Sequence, residues 1–318
     1  PAKQFNEIND DDKIYIKSAF TEKMFDTRIY KKPECIQRFA DSITKLTKKI
    51  LIEIEFPSKA YTDIYSILVR IHNSNEDKII PCILYNKVNN ITARRLQKDK
   101  TIRYLKIMGP QIKKIEAGSF FSCTSLTYVE ITSPITSIGS ESFKECTKLE
   151  EINIPDTVTS IENSAFDGCE SLLSILIPST IEIIKNSVFI QCSKLTHIKI
   201  PKFCSLIEES AFAWCKELIE VDFSECSVDI QIGKKSFSNC IKLINVQLPL
   251  KLKSIGDSAF IRCISLTEIE IPKTVTHIGK SAFLNCNKLV KAIVPCSLKD
   301  KVQNDVFDNN NKEIIYKE

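Results

Sequence analysis

Phenylalanine returns along this chain at an almost constant interval: Phe120, Phe143, Phe166, Phe189, Phe212, Phe237, Phe260 and Phe283, in steps of 23 residues with a single step of 25. A repeat this short is one supersecondary unit, too small to bury its own apolar face. It becomes stable only when copies stack, so a fixed period in this range predicts a solenoid.

One unit shows how the coil is built. Val158 and Ile161 open it, Phe166, Cys169 and Leu172 follow at steps of three, Ile175 and Ile177 close it, and Pro178 ends it. Steps of three place side chains on one side of a tight 3₁₀-like or irregular turn. Leu172, Ile175 and Ile177 form the L-x-x-L-x-L strand pattern of leucine-rich repeats. Alternation turns Ser174 and Leu176 outward, and the proline removes a donor and stops the strand. The other units match, with inward pairs such as Val129/Ile131, Ile198/Ile200 and Ile269/Ile271. Their strands are expected to stack in parallel as one continuous sheet surface.

The pattern weakens towards both ends. Upstream, Leu96 takes the Phe place and Asp99 the Cys place, before Ile102, Leu105 and Ile107. Downstream, Phe307 follows Phe283 by 24 residues, and Ile314 to Tyr316 suit a last strand. Terminal repeats depart from consensus because they cap the core. Residues 1–78 lack the period. There the spacing predicts a helix over 33–50, opened by Pro33, an alternating strand over 51–56, and strands over 65–71 and 78–84, with a helix over 61–71 as the alternative for the first of these.

The expected organisation is therefore a repeat solenoid of leucine-rich-repeat type over residues 79–318. It is a curved stack of parallel β-strands with short helical or irregular turns, and its eight strong repeats span about 112–296. A small α/β N-terminal cap or domain, 1–78, precedes it. Segments such as Ile161-Glu-Asn-Ser-Ala-Phe-Asp-Gly-Cys-Glu-Ser-Leu172 and Ile278-Gly-Lys-Ser-Ala-Phe-Leu-Asn-Cys-Asn-Lys-Leu289 resemble the BspA-like, Treponema pallidum-type leucine-rich repeats. The resemblance covers about three quarters of the chain. It implies a curved protein-binding solenoid of a kind found in bacteria and protists, with no shared catalytic residues.

Of 13 cysteines, eight occupy one repeat position, from Cys123 and Cys146 to Cys263 and Cys286. Such a row reads as a buried ladder of small apolar side chains. One cysteine per coil does not converge on a metal, and parallel side chains have the wrong mutual geometry for disulfides. Reduced thiols predict a reducing compartment, cytoplasmic or nuclear. The opening residues carry no signal pattern, although a leader removed from the start would instead place the protein at the cell surface. No apolar run is long enough to span a membrane.

The net charge is +4, so no global bias dictates the partner, but the densest basic segment, 94–106, could neutralise phosphates. Outward strand positions offer the candidate binding surface: Tyr128 and Glu130, His197 and Lys199, Glu220 and Asp222, Glu268 and Glu270. The last four suggest an acidic cluster suited to a basic protein or peptide. Trp214 lies two residues after the repeat Phe, where other coils carry mostly polar side chains. It either anchors a partner or packs on its own coil's insertion, around 224–228.

Nothing in the chain reads as an active site. His72, His197 and His277 have no paired nucleophile at a telling spacing, and there is no Gly-rich phosphate loop or compact oxygen-ligand loop. The expectation is a non-enzymatic interaction scaffold without cofactor or metal, binding on the concave sheet. The alternatives are a BspA-like surface adhesin and a nucleic-acid-associated factor acting through 94–106. Self-association through the solenoid ends is a further option.

Overall fold

The computed structural model describes residues 97–318 apart from 99, 101–102, 109, 111, 301, 303–304 and 308–312, together with the backbone of three short strands further upstream. The helix expected over 33–50, the strand over 51–56 and the Leu96 and Asp99 positions lie outside the described residues.

Stacking of the phenylalanines organises the coil interior. Eight consecutive ring pairs, from Phe120–Phe143 to Phe283–Phe307, lie 5.1–5.5 Å apart with planes tilted by no more than 14°. The eight repeat phenylalanines are fully enclosed, as are the repeat cysteines beside them. The Leu and inward Ile/Val columns complete one continuous core from Leu105 to Phe307.

Each Phe backbone is tied to both neighbouring coils. Its N–H donates to the carbonyl before the next Phe, as in Phe143 to Ala165 at 2.8 Å and Phe189 to Ala211 at 2.8 Å. Its carbonyl accepts from the Cys N–H three residues on, 3.1 Å for Cys169 to Phe166. The same oxygen accepts a thiol from the following coil: Cys146 Sγ donates to Phe120 at 3.2 Å, Cys192 to Phe166 at 3.4 Å and Cys286 to Phe260 at 3.1 Å. Cysteine suits this position because it packs as a small apolar group and carries a weak donor for the carbonyl's second lone pair.

The turn around Phe is not helical. Among the described residues the only 3₁₀ segment is Cys296–Leu298. Instead, the residues two before and two after Phe are left-handed in coil after coil, for example Ser187 (φ 55) and Gln191 (φ 61) around Phe189. Left-handed residues cannot propagate a right-handed helix, so the steps of three are separate 3₁₀-like turns, closed by bonds such as Cys169 N–H to Phe166 and Leu172 N–H to Cys169, both 3.1 Å, that turn Phe, Cys and Leu inward.

The strand face is parallel, as expected, but interrupted. Tyr104–Met108, Tyr128–Ile131 and Glu151–Ile152 pair in register, with Cys82–Tyr85 below them and Tyr65–Ile67 antiparallel to that strand. A second run is His197–Lys199, Glu220–Asp222 and Asn245–Val246. A third is Glu268–Glu270, Lys291–Pro295 and Glu313–Lys317. The Phe166 coil contributes no paired strand, although Ile175 and Ile177 are buried.

A departure from regular pairing is visible two coils below that gap. There the Asn153 side-chain amide takes both backbone groups of Ile131, at 2.6 and 3.0 Å. Elsewhere a next-coil carbonyl accepts that N–H, as Asp222 does for Ile200 at 2.9 Å. Yet the residue leading into each strand is linked across every coil, including Leu173 to Glu150 at 3.2 Å and Thr196 to Leu173 at 3.4 Å.

A second parallel ladder runs along another side, formed by the isoleucines that open each unit. Lys114–Ile115, Ser137–Ile138 and Ser160–Ile161 pair with one another. Ile183–Ile184, Leu206–Ile207, Ile230–Ile232, Leu252–Ile255 and His277–Ile278 continue it as a separate run. The two extra residues of the long coil fall between Asp222 and Gln231, where the pairing offset to the preceding coil rises from 23 to 25, and a one-residue register shift towards the following coil lies beside them at Ile230/Gln231.

Burial pushes the thiols up: Cys215 rises from its ordinary 9.0 to about 12, and Cys146, Cys169, Cys192, Cys240 and Cys263 also rise. Cys296 is exposed, and none of the described cysteines is bonded to another.

Three outcomes follow from this packing. Phe189→Ala removes a ring stacked on both sides and should cost about 3–5 kcal/mol in a denaturant titration, whereas Leu250→Ser, 84% exposed, should cost less than about 0.5.

Gly256 and Ser258 should respond in opposite directions. A Cβ on Gly256 would sit 2.6 Å from the Gly233 carbonyl carbon, so Gly256→Ala should destabilise by several kcal/mol, on the order of an overpacked core. Ser258 is left-handed (φ 53), so Ser258→Gly should hold or raise the unfolding midpoint, by up to about 1 kcal/mol.

Stability should also fall in alkali. The buried thiols stay protonated in the fold while the unfolded chain loses those protons above 9.0, so their contribution is full below 9.0 and is lost as pH rises towards about 12. Each thiol removes about 1.4 kcal/mol per pH unit in that window. Urea midpoints under reducing conditions should be level to pH 8.5 and drop steeply by pH 10; a level profile throughout would contradict the buried ladder.

Candidate functional site

Alternation along short rigid strands decides what the face presents. In Glu220–Asp222, Val221 points into the core while its neighbours point out; Glu268–Glu270 repeats this around Ile269, and His197–Lys199 around Ile198. Parallel in-register pairing then puts His197 beside Glu220 and Lys199 beside Asp222.

These four form one polar group. His197 Nε2 stands 4.0 Å from Glu220 Oε2, and its Nδ1 is 3.0 Å from the Thr196 hydroxyl. Lys199 Nζ pairs with Glu225 at 2.8 Å, a residue of the turn that holds the insertion. Asp222 Oδ1 accepts the Ser224 N–H at 2.7 Å, and the Ser224 hydrogen bonds, with Lys199 nearby, hold its carboxyl below the usual range.

Glu268 and Glu270 are not part of that group. The Asn245–Val246 strand lies between, so the expected acidic cluster is two carboxylate pairs separated by one coil. Glu270 meets Lys317 at 3.3 Å, and Glu268 is in register with Lys291. Tyr128 and Glu130 lie on the first run, beyond the interruption at the Phe166 coil. Tyr128 is half-buried, and burial with the Glu130 and Glu151 charges pushes its hydroxyl up. Among the described side chains, outward positions of the face carry seven carboxylates (Glu130, Glu151, Glu220, Asp222, Glu268, Glu270, Glu313) against three lysines, Lys199, Lys291 and Lys317.

Trp214 stands apart from the face, in the Phe212 turn six residues before the Glu220–Asp222 strand, whereas the insertion follows that strand. Its backbone is left-handed (φ 64), its ring is 40% exposed, and Lys216 Nζ lies 5.8 Å from the ring centre. A left-handed bulky residue costs roughly 1–2 kcal/mol relative to glycine, and the Phe166 coil does use a glycine, Gly168, at this point.

Spacing singles out Trp214 but not the apolar residues that precede the strand segment in four of the coils: Leu173, Ile219, Ile244 and Val290 are all exposed. The signal was available, since each lies seven residues after its Phe. A lone apolar residue beside a strand simply reads as core.

Among the described residues no three His, Cys, Asp or Glu side chains converge as metal ligands. No helix there is long and apolar enough to cross a membrane. The raised ladder thiols hold little thiolate at neutral pH, which makes them poor nucleophiles. What the arrangement can do is offer ordered charge on a rigid backbone.

The chain is similar in fold to several solved proteins. The Treponema pallidum leucine-rich repeat protein is 23% identical, matches over 82% of this chain and 100% of its own, and has a TM-score of 0.47. A leucine-rich cell surface protein of Faecalibacterium prausnitzii is 20% identical over 84% of this chain and 96% of its own, at 0.37. A leucine-rich repeat protein of Bacteroides ovatus is 19% identical over 85% and 100%, at 0.35. No curated protein matches the chain. The family model for the BspA type leucine-rich repeat region, six copies long, matches residues 113–231 and 227–316. With more than half of its length matched by that model, and with its Phe, Cys and Leu columns stacked as described, the chain belongs to the BspA-type leucine-rich repeat family.

Proposed function

We propose that the chain is a non-enzymatic protein-interaction scaffold whose strand face takes a basic protein or peptide segment. The observation that carries this reading is the carboxylate excess on the outward strand positions, seven against three lysines among the described side chains, held on a hydrogen-bonded stack. A rigid scaffold loses little conformational entropy on binding. The complementary charge speeds encounter and sets specificity more than it sets affinity. Glu220 and Glu268 are the central contacts in this reading, with Asp222 pre-set by Ser224 and His197 flanking it. Free thiols at every described cysteine support a reducing compartment as the place of action.

The test is charge reversal. Glu220→Lys, Asp222→Lys and Glu268→Lys combined should cost only about 1 kcal/mol in a urea titration, chiefly the lost Asp222–Ser224 hydrogen bond, because none of the three belongs to the buried core. Binding of a lysine-rich synthetic peptide, read by calorimetry, should fall about tenfold or more, equivalent to about 1.4 kcal/mol. The wild-type affinity should weaken as salt is raised. Equal affinity of wild type and triple variant would remove the strand face from the reading.

A further inference from the structure

The strand face leaves unexplained an apolar strip on the corner between the Phe turns and the strands, densest over three adjacent coils, with Leu173 and Val290 exposed singly in the same column further along. In the Phe212 coil it consists of Trp214 and Ile219, 40% and 37% exposed; in the Phe237 coil, Ile244 at 45%; and in the Phe260 coil, Ile264 at 38%. Half-buried Ile241 lies between them. The corresponding corner of the first two coils is polar, with Thr124 and Thr127, then Thr147 and Glu150. The repeat itself therefore does not require the apolar residues. Nor does folding favour a tryptophan at a left-handed position that Gly168 fills elsewhere.

Backbone hydrogen bonds between coils hold these residues side by side. Trp214 N–H donates to Ser238 at 2.8 Å, Lys242 to Lys216 at 3.2 Å, and Ile244 to Ile219 at 3.3 Å. The strip is thus contiguous, about 10 Å across for three coils at the spacing of parallel strands.

Its rim is cationic. Lys216 lies over the Trp214 ring, and Arg262 occupies the same turn position as Trp214 two coils along. Lys288 stands exposed in the next coil. The one carboxylate on this corner, Glu217, is paired with Lys242. Lys216, Arg262 and Lys288 have no carboxylate within ion-pair distance among the described residues.

We propose that this corner is a second docking site, separate from the strand face and of opposite charge preference: it takes an acidic peptide segment whose aliphatic or aromatic side chains seat against Trp214, Ile219 and Ile244. A large aromatic, ringed by aliphatics and cations, is the composition of a binding anchor. Carboxylates on the segment would meet Lys216 and Arg262. An anionic bilayer is the weaker match, because polybasic recruitment uses about four to eight clustered cations and this strip has three.

Trp214 is the only tryptophan in the chain, so its fluorescence reports on the strip directly. The full chain is titrated with a synthetic peptide repeating Glu-Leu-Glu, then with one repeating Lys-Leu-Lys, then with phosphatidylserine vesicles. The first should give a saturable blue shift and the other two none. Lys216→Glu with Arg262→Glu should weaken it at least tenfold, as should Ile244→Ser, with circular dichroism unchanged. Glu220→Lys with Asp222→Lys should leave it unaltered, which separates this site from the strand face. No shift up to millimolar Glu-Leu-Glu peptide would overturn the proposal. So would an equal shift with the lysine peptide, or a shift produced by vesicles alone.

Discussion

The rest of the molecule depends on the carbonyl oxygen of the repeat phenylalanine. It takes the Cys N–H of its own coil and the Cys thiol of the next, while the Phe N–H reaches the neighbouring turn. Stacking rings at 5.1–5.5 Å requires neighbouring backbones to approach closely, and close approach removes water from every peptide group between them. An unanswered carbonyl there would cost roughly 1–3 kcal/mol per coil. Satisfying it within the stack lets aromatic burial and hydrogen bonding reinforce each other over the seven rungs from Phe120 to Phe260 instead of competing.

The same closeness governs the surface. Coils that meet through backbone at the corners leave little room for a side chain at some positions and demand left-handed backbone at others. Gly279, whose Cβ would lie 2.3 Å from the Asp257 nitrogen, shows the first; Trp214 shows the second. Exposed side chains are therefore fixed in direction by a backbone with few alternatives. Identical offsets bring residues into columns, so a column can be given a charge or an apolar character without disturbing the core. The strand face is acidic and the corner beside it is basic and apolar for this reason, each made by a handful of substitutions at positions the core does not use.

Much of this was legible beforehand. Phe120 to Phe283, the eight cysteines and the inward strand residues were assigned from their spacing, and all are buried where spacing put them. The last strand over Ile314 to Tyr316 also formed, within Glu313–Lys317. The isoleucine ladder was missed as a sheet because its strands are mostly two residues long with one inward side chain, too short to show alternation. The left-handed columns were missed because Ser, Glu, Gln and Arg occupy positions where glycine would have been the signal. The interruption of the face at the Phe166 coil left no mark in Ser174 to Ile177, which reads as regular as any other unit, and we have no physical account of it.

The sequence by itself determined the architecture, because a 23-residue period with inward Phe, Cys and Leu can bury its apolar side chains only by stacking. It determined which residues are interior and which strand positions face out, since both follow from periodicity within one unit. Only the tertiary structure decided which exposed groups act together. That Glu220 meets His197, that Glu270 is answered by Lys317 across 47 residues, and that Trp214 joins Ile244 and Arg262 on one corner are relations between coils. They depend on register, insertion placement and turn handedness, none of which is written in the composition of any single repeat.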